Sequence, residues 1–264
     1  MIKISPFIII IIILSFSNAR AQNLTFEVAL DKHIEGLYYQ SLKITDTLKS
    51  ADSHALAARS RLILTRFYLA EEERLENIEI ALKDALKALE LDETHLEGNL
   101  QAGFAWGLKA QIQGKISEAK QAKIYIDKAI KFHPNNPWGW AALGGWGLEI
   151  VHSAGGVFSR VLFGVKLKSS LEAFDKSLKL AENKISFLFS YSRALLRLNK
   201  NKYRNKALKL LKEINPLKPQ NFLDQISKKF ATGIIRAIEK NDGIKLEILL
   251  DNFSRIPDSE KEGH

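Results

Sequence analysis

From about residue 23 onward, apolar side chains recur at intervals of three and four, with charged residues filling the positions between them. That is the period of a helix with one buried face, and runs of alternating apolar and polar residues are nearly absent. Short polar stretches punctuate the pattern at "DETH", "HPNNP", "AENK" and "NPLKP", where proline, asparagine and clustered charge stop helices. The pattern predicts an all-α chain.

Three helix-ending segments align without gaps: Ala81–His95, Ala122–Asn136 and Ser170–Lys184. Each opens on a small residue (Ala81, Ala122, Ser170) and carries a larger one four positions later (Ala85, Ile126, Phe174). Another small residue follows (Ala88, Ala129, Ser177), then an apolar one and a polar turn, with Pro134 in the middle copy. Small positions let a neighbouring helix come close, and the larger ones fill the space between. The segments after the turns also align, Asn99–Leu108 with Trp140–Glu149, placing Ala102-Gly103 on Leu143-Gly144.

These residues resemble the tetratricopeptide repeat, whose signature puts Trp and then Leu-Gly in a first helix and small-x3-aromatic-x2-small in a second, with proline at the turn. Ala81, Ala88, Gly103, Ala122, Ala129, Pro134, Trp140, Leu143 and Gly144 carry the resemblance, over roughly residues 55–216. It implies a right-handed solenoid of antiparallel helix pairs with three to four units. The spacing departs from the regular 34 residues: Glu93 to Pro134 is 41 and Pro134 to Glu182 is 48. The expected organisation is a signal peptide at 1–21, an N-terminal capping helix at 22–54, repeats at 55–216 with an insertion at 151–169, C-terminal capping helices at 217–255 and a polar tail at 256–264. The insertion is too apolar for a free loop: it packs on the array, on a partner or at a membrane surface, and it is expected to fold back towards Gly147. The block from Trp138 onward also resembles, more loosely, the T-component type of auxiliary subunit in tripartite solute transporters.

The chain has 264 residues, a formal charge of +9 and no cysteine. Absence of cysteine excludes disulfides, thiolate metal sites and Cys nucleophiles. The basic residues are scattered at helical spacings rather than interleaved with aromatics, so nucleic acid is not an expected partner. Lys3, the apolar run Phe7–Phe16 and the small pair Ala19 and Ala21 read as an export signal cleaved after Ala21, with an uncleaved N-terminal anchor as the alternative. An exported location in the bacterial periplasm is the expectation.

Catalytic and cofactor motifs are missing. There is no nucleophile elbow, no phosphate loop and no HExxH. Glu149 and His152 have i, i+3 spacing, but one such pair falls short of the two that di-metal bundles use. The expectation is a protein without catalysis, cofactor or metal. On the first helices, Trp140, Leu143, Gly144 and Gly147 form one stripe and Trp138, Ala141, Gly145, Leu148 and Glu149 another. The resemblance implies that the second stripe lines a concave groove. Its equivalents are Glu97, Leu100, Phe104 and Leu108 in the preceding unit, and Ser186, Phe189, Arg193 and Arg197 in the following one. The expected function is a scaffold binding a protein or peptide in that groove. A small apolar ligand in a tunnel or cavity near Trp106, Trp138, Trp146 and Phe158, as in an auxiliary transport component, is the alternative; an enzyme of unrecognised type is a remote third, and any membrane contact is peripheral.

Overall fold

A computed structural model describes residues 25–251. Among these residues there are twelve helices and no strand. They are α1 Phe26–Glu35, α2 Tyr38–Thr45, α3 Ala51–Phe67, α4 Glu71–Leu91, α5 Leu96–Gln113, α6 Ile116–Phe132, α7 Pro137–Phe163, α8 Leu167–Leu180, α9 Ile185–Asn199, α10 Arg204–Ile214, α11 Phe222–Glu239 and α12 Gly243–Asp251. The chain is a helical solenoid of antiparallel pairs, α3–α4, α5–α6, α7–α8 and α9–α10. The first helices also touch in succession, α3 to α5, α5 to α7 and α7 to α9, and so form the inner row. The second helices form the outer one.

Local chemistry sets the ends. Ser50 and Ser53 make a reciprocal capping box at the start of α3, each backbone N–H donating to the other's hydroxyl at 3.1 Å. At the start of α7, Asn136 Oδ1 accepts from Trp138 N at 2.9 Å and Pro137 occupies the first turn. The indole of Trp140 reaches back, its Nε1 donating to the Pro134 carbonyl at 2.8 Å. Turns are tied to their predecessors too. His133 Nε2 bonds the Thr94 carbonyl at 2.7 Å, and His95 Nε2 bonds Asp52 Oδ1 at 3.0 Å.

Small residues sit where helices meet. Ala81, Ala88, Ala122 and Ala129 are fully buried. A Cβ on Gly144 would lie 2.6 Å from the Phe174 ring and 2.9 Å from its backbone nitrogen, so only glycine lets α7 and α8 approach this closely. At Gly147 the neighbours are Ser170 and Val165. The segment after α7's middle therefore does return to Gly147.

The extra residues of this unit are spent differently from the expected insertion. Most of 151–163 extends α7 to 27 residues, with a break at Gly155 (φ 75°, ψ 163°). That backbone lies in a region open essentially only to glycine. Gly164 (φ 66°) ends the helix, its N–H donating to the Arg160 carbonyl.

The C-terminal helices do more than cap an end. Ile226 of α11, with Phe222, Leu223 and Phe230 packed around it, joins Tyr38, Leu42, Ala57, Leu64 and Phe67 of α2 and α3 in one cluster. Ala231, Ile234, Ile235 and Ile238 of the same helix join Leu188, Phe189 and Leu195 of α9 in another. Helix α11 thus crosses the inner face as a strut between the two ends of the array. Burying these apolar faces is the main source of the fold's stability.

Candidate functional site

The inner row places Trp138, Ala141, Leu148 and Glu149 on α7, Glu97, Leu100, Phe104 and Leu108 on α5, and Phe189, Arg193 and Arg197 on α9. Three of these need correction as groove-lining residues. Leu100, Leu148 and Phe189 are each 1 % exposed. Leu148 and Phe189 are covered by the α9–α11–α12 core, and Leu100 packs with Ile126, Ala129 and Ala142. For Leu148 and Phe189 the physical reason is that α11 and α12 lie over this half of the concavity; Leu100 is instead taken up in the contact of α5 with α6 and α7. Trp138 is half-buried, edge-on to Phe187 with ring centroids 4.6 Å apart, and serves the α7–α9 contact.

What stays together is polar. Glu149 Oε2 accepts from Arg197 Nη1 at 2.7 Å, an ion pair with both side chains about a third exposed or less. Arg193 donates through Nε and Nη2 to the Leu250 carbonyl of α12 at 3.0 and 2.8 Å. Burial, then the charges of Arg66 and Arg197, push the proton affinity of Arg193 down, while Glu149 and Asp251 oppose them. A guanidinium stays charged in proteins. The strain therefore appears as a demand for acceptors, which the carbonyl at the end of α12 meets.

Arg66, at the end of α3, was not singled out in the sequence. Burial lowers its proton affinity too, Glu149 raises it, and Arg197 and Arg74 lower it. It makes no hydrogen bond or ion pair among the described residues, and its guanidinium carbon lies 6.0 Å from the Phe67 ring centroid. The site is therefore a knot of three guanidinium groups, Arg66, Arg193 and Arg197, facing two carboxylates, Glu149 and Asp251. Beside it is a cleft of about 360 Å³ lined by His152, Leu196, Arg197, Asn199, Lys200, Asn201, Glu247 and Asp251, with Lys200 paired to Glu247. No local sequence pattern could have found Arg66, because 127 residues separate it from Arg193 and only the α11 strut fixes how the array closes.

At the α5 end, Glu97 pairs with Arg59 at 3.5 Å, Phe104 is 37 % exposed and Leu108 is half-buried. The buried Trp106 Nε1 has no acceptor among the described residues. The tryptophans expected to wall a ligand tunnel have other roles. Trp146 packs edge-on to Phe163 and donates to the Ala119 carbonyl at 2.9 Å. Lys109 sits over Trp106. Among the described residues no group of three or more His, Cys, Asp or Glu could hold a metal, and His152 lines the cleft without joining one.

These features define a helical-repeat protein, closed by its own C-terminal helices and bearing an arginine-rich inner face. The chain belongs to the Regulator of microtubule dynamics protein 1-3 family, whose signature matches residues 28–239. No curated protein matches it. The match corrects two expectations. The family is neither a tetratricopeptide family nor a transporter subunit, so both resemblances fall. They arose because any array of antiparallel helix pairs needs small residues at the same crossings and prolines at the same turns. The family is also not a periplasmic one, which overturns the expected exported location. The apolar run that suggested export lies outside the described residues.

Proposed function

We propose that this protein is a non-catalytic helical scaffold that binds a protein partner through a carboxylate-bearing segment at the inner face around Arg66 and Arg197, beside the Arg193–Leu250 tie. The observation that carries this is Arg66. Its guanidinium is half-buried, makes no hydrogen bond within the described residues and is still reached by solvent, so it is open to a partner, and planar bidentate pairing makes carboxylates its natural complement. The overall charge of +9 favours encounter with an acidic partner. Phe104 and Leu108 on α5 offer apolar contact beyond the charged centre, the division of labour usual at protein interfaces.

The family's name refers to regulation of microtubule dynamics, so tubulin polymer is the first partner to try. The test is co-sedimentation of the full chain with polymerised tubulin at two salt concentrations, repeated with Arg66→Glu. Binding that weakens with salt and is lost on charge reversal supports the reading. Binding insensitive to both places the interface elsewhere.

A further inference from the structure

Beyond the Gly155 break, the last turns of α7 present an apolar face to solvent. Val157 is 75 % exposed, Phe158 62 %, Val161 73 % and Leu162 38 %. These positions, two adjacent residues repeated one turn later, share one side of a helix. The opposite side is fixed to the protein. Ser159 is fully buried and donates to the Gly156 and Val165 carbonyls at 3.1 and 3.4 Å. Phe163 packs edge-on to Trp146, and Val165 N donates to the Ser159 carbonyl at 3.0 Å. The arm is thus a braced projection and not a frayed end. A Cβ at Gly155, Gly156 or Gly164 would meet nothing within 4 Å, so the arm is unpacked at its start and at its end and touches the array along one side only.

Charge selects the occupant. Between Glu149 and Glu172 the chain carries no acidic residue, but it carries His152, Arg160, Lys166 and Lys168. Arg160 lies between the two apolar pairs, and the two lysines follow the turn at Gly164, all three exposed. A large bare apolar face with a basic border is the composition of a segment that lies in the boundary between headgroups and acyl chains. No single described helix is long and apolar enough to cross a membrane. We infer that the arm Gly156–Phe163 is a peripheral membrane-docking element, which inserts Val157, Phe158, Val161 and Leu162 into the outer layer of an anionic bilayer while Arg160, Lys166 and Lys168 hold its headgroups.

The absence of native cysteine allows a single nitroxide label at Val157→Cys, with Lys209→Cys on the outer helix α10 as reference. The apolar run Phe7–Phe16 has its own affinity for lipid, so the readout must be local to the arm. Full-length labelled chains are mixed with vesicles of phosphatidylcholine with phosphatidylserine, and with phosphatidylcholine alone. At position 157, collisions with oxygen should rise and those with a water-soluble nickel chelate should fall on the anionic vesicles. Position 209 should not change. Arg160→Ala should weaken the effect roughly fivefold, the worth of one basic residue near such a surface. Equal nickel accessibility at 157 with and without anionic vesicles would overturn the inference. So would shielding of 157 that grows with protein concentration in the absence of lipid, which would assign the face to a second copy of the chain.

Discussion

Arg193 of α9 and Leu250 of α12 are joined by two hydrogen bonds to one carbonyl, at 3.0 and 2.8 Å. This contact ties the last described helix across the inner face, 57 residues away in sequence. It also explains why an arginine read as a partner-binding residue is largely committed to the fold.

Removing that tie should free α12 before anything else. For Arg193→Met we expect a loss of about 1–2 kcal/mol, since hydrogen bonds to a charged donor are worth roughly that or a little more and relief of repulsion from Arg66 and Arg197 offsets part of it. Hydrogen exchange should accelerate at Leu246–Leu250 while α4 and α6 stay protected. Unchanged protection in α12 would show that Leu246 and Leu250, both buried, hold it alone.

Two glycines of the same helix should respond oppositely to alanine. At Gly144 a Cβ would press on Phe174 at 2.6 Å and on its backbone at 2.9 Å. Overpacking of this kind costs about 1–3 kcal/mol, more than the ~1 kcal/mol of helix propensity recovered. At Gly156 a Cβ meets nothing, so Gly156→Ala should stabilise by up to about 1 kcal/mol. Urea midpoints of the two variants decide it. Gains in both would mean that α7 and α8 can separate without cost.

Acid should weaken the N-terminal packing through His33. Its Nδ1 is 2.8 Å from Ser60 Oγ, and burial, with Arg59 adding to it, pushes its pKa down to about 3. An unfolded histidine titrates near 6.5. Above that pH both states are neutral and nothing is lost. Between about 6.5 and 3 the unfolded chain takes up a proton that the folded one refuses, so stability falls as pH falls. By pH 5 the loss should be about 2 kcal/mol. His33→Gln keeps a polar partner for Ser60 without titrating. Its urea midpoint should therefore drop less between pH 7.5 and pH 5 than that of the native chain. Equal drops would place the acid sensitivity elsewhere.

Much of the array was legible before the structure. Helix period and turn chemistry follow from contacts close in sequence, and the small residues at Ala81, Ala122 and Gly144 from contacts between successive helices, so a repeating local pattern reveals them. The site was legible only in part. The face of α9 bearing Arg193 and Arg197 could be read from periodicity, and Glu149 from α7, but their pairing depends on how first helices stack. Phe189 shares a stripe with Arg193, and that stripe alone predicts groove. It is core because α11 lies over it, a contact that no local period encodes. The family is hidden from the local pattern for a related reason. Helix-pair packing constrains small and large residues in the same way in unrelated arrays, so the pattern reports architecture and not descent.

The two members of the Glu149–Arg197 pair should have opposite effects on partner binding. Glu149→Gln leaves Arg197 without its carboxylate and should tighten binding of an acidic segment. Arg197→Glu should weaken it by about tenfold or more at low salt, with the difference shrinking as ionic strength rises. Binding isotherms at two salt concentrations check the signs. Equal effects from both variants would show that the pair acts only on folding.

Whether a partner is held at the inner face around Arg66 is decided by crosslinking mass spectrometry on the bound complex, with Arg66→Glu as the control. Partner crosslinks are expected at Lys109 on α5 and at Lys200 just beyond the end of α9, and they disappear with Arg66→Glu while its helical signal is unchanged. Crosslinks confined to the outer row, at Lys120, Lys176 and Lys209, and persisting in Arg66→Glu, would contradict it.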